Sequence, residues 1–211
     1  SQGRCGLFQF DQSKALNSYK GNTVIFLSLD IRSIRRKRRF GFTSFSDSGV
    51  HIFSGSLPVG RAPLFLRRFI YFFMFRILFK KATQQFGKPD LIHAHFGRTI
   101  GYVAWKANRK YGIDYAITEH DSGLLTNSPS GKEKRILFQI YKNAKFRIAV
   151  SSIFCKKLSQ EFSLPFSFVP NVIDTSAFFF LNRKGGAHNP FVFVTAGQLI
   201  QRKGMDVLIN A

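Results

Sequence analysis

Histidines and carboxylates collect at the ends of two short apolar runs. In DLIHAHFG, His93 and His95 close the run Leu91–His95; in YAITEHD, Glu119, His120 and Asp121 follow the run Ile113–Thr118 at once. Histidine titrates near neutrality, so it can pass a proton or hold a sugar hydroxyl or phosphate oxygen. A carboxylate beside it can orient the same hydroxyls. Between the two runs, Ile100, Val103, Ala104, Ala107 and Tyr111 recur at helical spacing, with Lys106, Arg109 and Lys110 on the other side of the wheel. Gly112 stands where a helix ends in a left-handed residue. A strand, crossover helix and parallel strand bring both carboxyl ends to one edge of a sheet. The pattern therefore predicts that His95, Glu119 and His120 share one crevice.

Other chemistries fit these residues less well. His93 and His95 have an H-x-H spacing that some zinc sites use, but no HExxH or paired-cysteine pattern supplies further ligands, and no metal is expected. Ser151-Ser152 lacks a GxSxG context for a nucleophile. A separate loop, AGQLIQRKG, has Gly197 and Gly204 for close backbone approach, with Arg202 and Lys203 supplying charge ahead of a helix start. That composition suits a diphosphate, and it is not a Walker loop, since GxxxxGK[ST] is absent. Gly3 and Gly6 precede another helical stretch and could serve an anion or merely make a turn.

The bulk composition narrows the class. With 45% hydrophobic and 20% charged residues, the 211-residue chain can bury a core and is not a disordered polymer. Its 32 Lys plus Arg against 11 Asp plus Glu give +21, which points to an anionic partner: phosphorylated substrate, anionic membrane surface or nucleic acid. Cys5 and Cys155 stand alone, in no metal or disulfide spacing, which fits a reducing cytoplasmic setting. No basic region followed by an apolar core marks a secretory signal. The chain starts without Met, and KGMDVLINA opens a helix with no cap, so a fragment cut at both ends is expected.

The supporting elements follow in order. A helix is predicted over Phe8–Lys20, a buried strand over Thr23–Leu29, and a basic loop over Asp30–Phe40 containing Arg35, Arg36, Lys37, Arg38 and Arg39. Gly49–Phe53 reads as a short strand and SGSLPVGRAP as turn. The following RAPLFLRRFIYFFMFRILFKK has an apolar core, Phe69–Phe79, too short and too charged for the roughly 20 residues that span a bilayer. Its Arg67, Arg68, Arg76, Lys80 and Lys81 suit either the flanks of a core helix or, with Arg35–Arg39, contact with an anionic membrane surface. After the histidine unit come a loop at Leu124–Lys132, a helix at Glu133–Lys142, a strand at Arg147–Ser151, a helix at Ile153–Phe162 and a strand at Phe166–Val169. Alternating strands and helices predict an α/β fold: a Rossmann-like parallel sheet with helices on both faces. The stretch after Pro170, with a loop NRKGGAHNP rich in Gly, Asn and basic residues, is the best domain boundary. Phe191–Thr195 is predicted to be a new strand, and a helix starts near Met205.

Five segments in order, DLIHAHFG, YAITEH, AVS, FVPNVID and TAGQLIQRKGMDVLINA, resemble the retaining glycosyltransferases of family 4, whose GT-B fold faces two Rossmann-like domains, and GLFQFDQSKAL ahead of them is similar to that family's glycine loop and first helix. The resemblance implies an acceptor domain up to about Asn189 and the start of a nucleotide-sugar domain from Pro190. It places His120 near the transferred sugar and its phosphates. Lys203, Arg202, Gly197 and Gln198, with Gly6, fall in the donor-binding set, and His95, Glu119 and Asn171 in the acceptor set. Gln198 stands where many members have arginine, so Arg202 would take over that diphosphate contact. The chain ends before the acidic glutamate pair that the family uses in donor binding, so it is expected to be inactive alone. The activity implied is transfer from a nucleotide sugar, a substrate rather than a cofactor, to a saccharide or lipid-linked acceptor in polysaccharide or glycolipid synthesis. A peripheral position on the inner face of the cell membrane would account for the charge. Two rivals remain: a non-catalytic basic Rossmann module binding anionic membrane or nucleic acid, and a GT-B sugar epimerase. Basic residues here lack interleaved stacking aromatics, so nucleic acid is not expected.

Overall fold

A computed structural model describes residues 7–32, 40–60, 62–175, 194–197, 199 and 201–210. The chain divides into two compact units, Ser1–Asp174 and Thr175–Ala211. The predicted boundary at 189/190, Gly6, Arg35–Arg39 and Gln198 lie outside the described residues, as does the Arg202 side chain.

The first unit opens with helix α1 (Leu7–Asn17) and strand β1 (Ile25–Arg32), followed by β2 (Gly41–Asp47) and β3 (Val50–Pro58). Strand β3 lies between the other two, parallel to β1 and antiparallel to β2. The hairpin was not anticipated, nor was the continuation of β3 through Ser54–Pro58, read above as turn. Its signal is Ser48-Gly49, both with positive φ (50° and 79°), the conformation that a two-residue type I′ loop requires. Gly55 belongs in the strand because a Cβ there would lie 2.9 Å from the Phe42 ring and 3.1 Å from Met74.

Helix α2 (Leu64–Phe86) is the longest element, entered through Pro63 and left at Gly87 with φ 83°. Then come β4 (Leu91–His95), a π-helical turn at Gly97–Gly101, α3 (Tyr102–Tyr111) and β5 (Asp114–Glu119). Short α4 (Gly123–Thr126) falls where a loop was read, and α5 (Gly131–Lys142), β6 (Phe146–Ala149), α6 (Ser152–Phe162) and β7 (Ser167–Phe168) complete the unit. Strands β4-β5-β6-β7 form an all-parallel sheet in sequential order. The α/β class with a Rossmann-like parallel sheet and flanking helices holds, while the antiparallel β2 and the division into two sheets refine it.

Both faces of the parallel sheet are covered, so β5 is buried continuously from Tyr115 to Glu119 instead of alternating. Leu137, Ile140 and Tyr141 of α5 and Phe154, Leu158 and Phe162 of α6 pack with Tyr115 and Ile117. Tyr71, Phe75 and Phe79 of α2 meet Val103 and Ala107 of α3, with Leu27, Leu29 and Ile31 of β1 against the same cluster. One helix thus joins the cores of the two sheets. Each fully buried large aliphatic side chain contributes roughly 1.5–3 kcal/mol, so this packing fixes where the strand ends lie.

In the second unit, a 3-10 turn (Gln201–Lys203) leads through Gly204, φ 61°, into α7 (Met205–Asn210). The strand predicted at Phe191–Thr195 lies largely outside the described residues.

Candidate active site

The histidines converge because β4 and β5 run parallel with His95 paired to Thr118. His120, just past that pair, reaches back: His95 Nδ1 and His120 Nε2 are 3.0 Å apart. The His93 and His95 rings stack at 4.6 Å, and His93 Nε2 lies 2.8 Å from Thr118 Oγ1. Burial pushes His93 down to about 4 and His95 to about 3, with the neighbouring imidazoles adding to each shift; burial also lowers His120. At neutral pH the rings are uncharged. Each neutral ring has one donor and one acceptor nitrogen. The 3.0 Å contact uses one of each, so the remaining nitrogens of the pair offer one donor and one acceptor.

Glu119 stands differently from the expectation that it contacts substrate. It is wholly buried. Oε1 accepts the backbone N–H groups of His120 and Asp121, both at 3.0 Å, and Oε2 accepts the Gly97 N–H at 2.9 Å and the Tyr141 hydroxyl at 2.6 Å. Three of these donors are backbone amides, which can only donate. Burial pushes the Glu119 carboxyl up, while the Tyr141, Asp121 and Gly97 donors pull it back; burial beside Glu119 drives the Tyr141 hydroxyl well above its ordinary value. With both oxygens occupied from inside, Glu119 is a positioning residue. It clamps the turn after His95, the segment carrying His120, and helix α5.

The turn itself is unusual. Phe96 adopts φ 70°, ψ 105°, a region that costs a non-glycine residue energy, and its ring lies 5.2 Å from that of His120. The π-helical turn follows, closed by the Gly101 N–H donating to the Phe96 carbonyl at 2.9 Å. Strain and a π-turn side by side are typical of working sites. Gly97 is required by space: a Cβ would fall 2.5 Å from the Tyr141 hydroxyl and 2.7 Å from Glu119 Oε2. Beside the turn, Arg98 Nε lies 3.4 Å from Asp121 Oδ2.

Arg68, placed above among membrane-facing cations, is corrected: it is 6% exposed. Its Nε donates to the Arg98 carbonyl at 2.8 Å and its Nη2 to Glu133 Oε1 at 2.9 Å, and its guanidinium stacks on Tyr102. A buried cation needs such partners, and here they tie α2 and α5 to the π-turn. Arg67 is half-buried, whereas Arg76, Lys80 and Lys81 are exposed.

Asn171 follows β7 and therefore lies at the same carboxyl edge of the sheet as His95 and His120. Gly197 and Lys203 belong to the second unit, where a Cβ on Gly197 would meet Met205 Cε at 2.7 Å. Among the described residues, no group of three or more His, Cys, Asp or Glu side chains is placed to hold a metal ion. Sequence reasoning missed Tyr141 and Gly97. Tyr141 falls in the apolar stripe of α5 and reads as core, yet a buried phenol needs a hydrogen-bond partner, which is the signal that could have exposed it.

A search of curated proteins finds no match. Residues 13–177 match the profile described as Glycosyltransferase Family 4, a span that takes in both sheets, the histidine pair, the Glu119 clamp and Asn171 and covers more than half of the chain. The chain therefore belongs to glycosyltransferase family 4 and carries a GT-B-type glycosyltransferase domain.

Proposed function

We propose that this domain serves a retaining transfer from a nucleotide sugar to a saccharide or lipid-linked acceptor, in the synthesis of a cell-surface polysaccharide or glycolipid. The observation that carries the reading is the His95–His120 contact of 3.0 Å at the carboxyl edge of the parallel sheet. One donor and one acceptor on neutral imidazoles match the hydroxyls of a sugar. His120 lies beside the transferred sugar; His95 and Asn171 orient the acceptor. Gly197, Arg202 and Lys203, with Gln198 and Gly6, hold the donor diphosphate. Glu119 acts through the histidines.

A retaining hydrolase would need two carboxylates about 5 Å apart, and double displacement by a transferase would still need one free carboxylate as nucleophile. Glu119 has both oxygens occupied and Asp121 faces Arg98, so neither is free to serve as a nucleophile. This favours a same-face route in which the leaving phosphate helps to deprotonate the acceptor. Protein groups then stabilise the diphosphate charge and orient hydroxyls.

The test is transfer by the full-length product of the coding sequence, offered a panel of nucleotide sugars and saccharide acceptors. NMR of the new glycosidic linkage should report the donor's own anomeric configuration, and His120→Ala should lower kcat by about 10²–10⁴-fold. An inverted linkage, or undiminished turnover by the variant, would overturn the reading.

A further inference from the structure

The outer face of α2 carries groups that the candidate active site does not use. Phe65, Phe69 and Phe73 are 73%, 68% and 50% exposed and recur every fourth residue, so they form one ridge. Isolated surface aromatics are ordinary, but a contiguous row marks a contact surface. The ridge leads into an open groove of about 680 Å³ between the C-terminal half of α2 and the end of α3. Phe73, Ile77 and Tyr111 give it an apolar floor, and Arg76, Lys80, Lys88 and Lys110 line it with positive charge. No acidic side chain lines it, and none of these cations makes an ion pair among the described residues.

The groove is separate from the histidine site. Lys88 precedes β4 and Ile113, also in the lining, precedes β5, so it opens at the amino end of the parallel strands. His95 and His120 stand at the carboxyl end. Helix α2 does not cross a bilayer: no helix among the described residues is long and apolar enough.

We propose that this groove takes the headgroup phosphate of an anionic phospholipid at a bilayer surface, while Phe65, Phe69 and Phe73 enter the acyl boundary and α2 lies in the interface plane. Charge complementarity names the headgroup, since four cations without a carboxylate suit a phosphate. The exposed ridge favours a lipid over a soluble ion, which would leave those rings in water. Single-stranded nucleic acid fits less well: the cations gather at one end of the ridge, whereas a strand needs charge tracking alongside its stacking rings. The inference goes beyond glycosyl transfer and does not depend on it.

The experiment is cosedimentation of the chain with vesicles of phosphatidylcholine containing roughly 30% phosphatidylglycerol, in about 0.15 M salt. A chain of +21 will adhere to such vesicles through bulk charge alone, so two variants with the same change of charge are compared. Arg76→Glu with Lys110→Glu should weaken partitioning about tenfold or more, since each near-surface cation contributes severalfold. Lys132→Glu with Arg135→Glu, on exposed positions of α5, should cost less than about threefold by the same measure. Phe69→Ser with Phe73→Ser keeps the charge and should lose the binding that survives about 0.5 M salt. Equal losses for the two charge variants, or salt-resistant binding unaffected by the serine pair, would overturn the proposal. So would displacement of the unmutated chain by inorganic phosphate beyond an ionic-strength control, or preferential capture by polyuridylate. No sugar substrate is present, so failure here leaves the transferase reading standing.

Discussion

The carboxyl edge of the parallel sheet and the outer face of α2 treat polar groups in opposite ways. At the edge, Glu119 is fully buried and accepts four hydrogen bonds, and Arg68 is buried against Glu133 and the Arg98 carbonyl. On α2, Arg76 and Lys80 lie open beside exposed phenylalanines. A group buried with its partners resists motion and is costly to disturb, whereas a solvated cation costs little to leave unpaired. The edge is therefore built to hold one geometry, and the helix face to accept a variable surface. Substitution should register as lost stability at the edge and as almost nothing on the helix.

The largest effect is expected from Glu119→Ala. It would strand three backbone N–H groups and the Tyr141 hydroxyl inside the core, and it should cost about 3–5 kcal/mol in urea unfolding. Tyr141→Phe removes one donor and keeps the ring, so about 1.5–3 kcal/mol is expected from the same measurement, the range for a hydrogen bond to a charged group. Gly97→Ala should fall in a similar range, about 1–3 kcal/mol, through overpacking against that pair.

Acid gives a fourth test. His93 and His95 have folded values of about 4 and 3, below the unfolded value near 6.5. The unfolded chain binds more protons in that interval, so the histidine contribution is complete above pH 6.5 and declines as pH falls toward 4 and 3. Glu119, raised by burial, binds its proton more readily when folded and works the other way above pH 4.5, blunting the decline. A net loss of stability between pH 6.5 and 4.5 is expected, because two histidines outweigh one carboxyl, and His95→Gln should flatten it. The smallest effect is predicted for Phe69→Ser, within about 0.5 kcal/mol, because the ring is already in water. A large destabilisation there would mean that the helix face is core after all.

Much of this arrangement was legible locally. The bounds of β4 are those of the apolar run Leu91–His95, and α3 has the stripe and terminal glycine expected of it. The meeting of His95 with His120 follows from crossover handedness, since two parallel strand ends must share an edge. The misses have a common physical form. Glu119 looked like a substrate contact because its partners Gly97 and Tyr141 are 22 residues away on either side. Arg68 looked like one more surface cation because Glu133 is 65 residues away. Neither burial can be read from a window of neighbours. The β2–β3 hairpin escaped for a different reason. Phe42 and Phe45 are not spaced by two, and β2 is mostly exposed, so the apolar alternation that signals a strand is weak there.

The most direct measurement is a pH titration of the imidazole nitrogens of His93, His95 and His120 by long-range ¹H–¹⁵N NMR. If buried Glu119 holds both strand ends in one preformed site, His93 and His95 will remain neutral well below pH 6, with His95 Nδ1 and His120 Nε2 showing one hydrogen bond between them. Independent titration of all three rings near 6.5 would mean separated, solvated histidines and no such site.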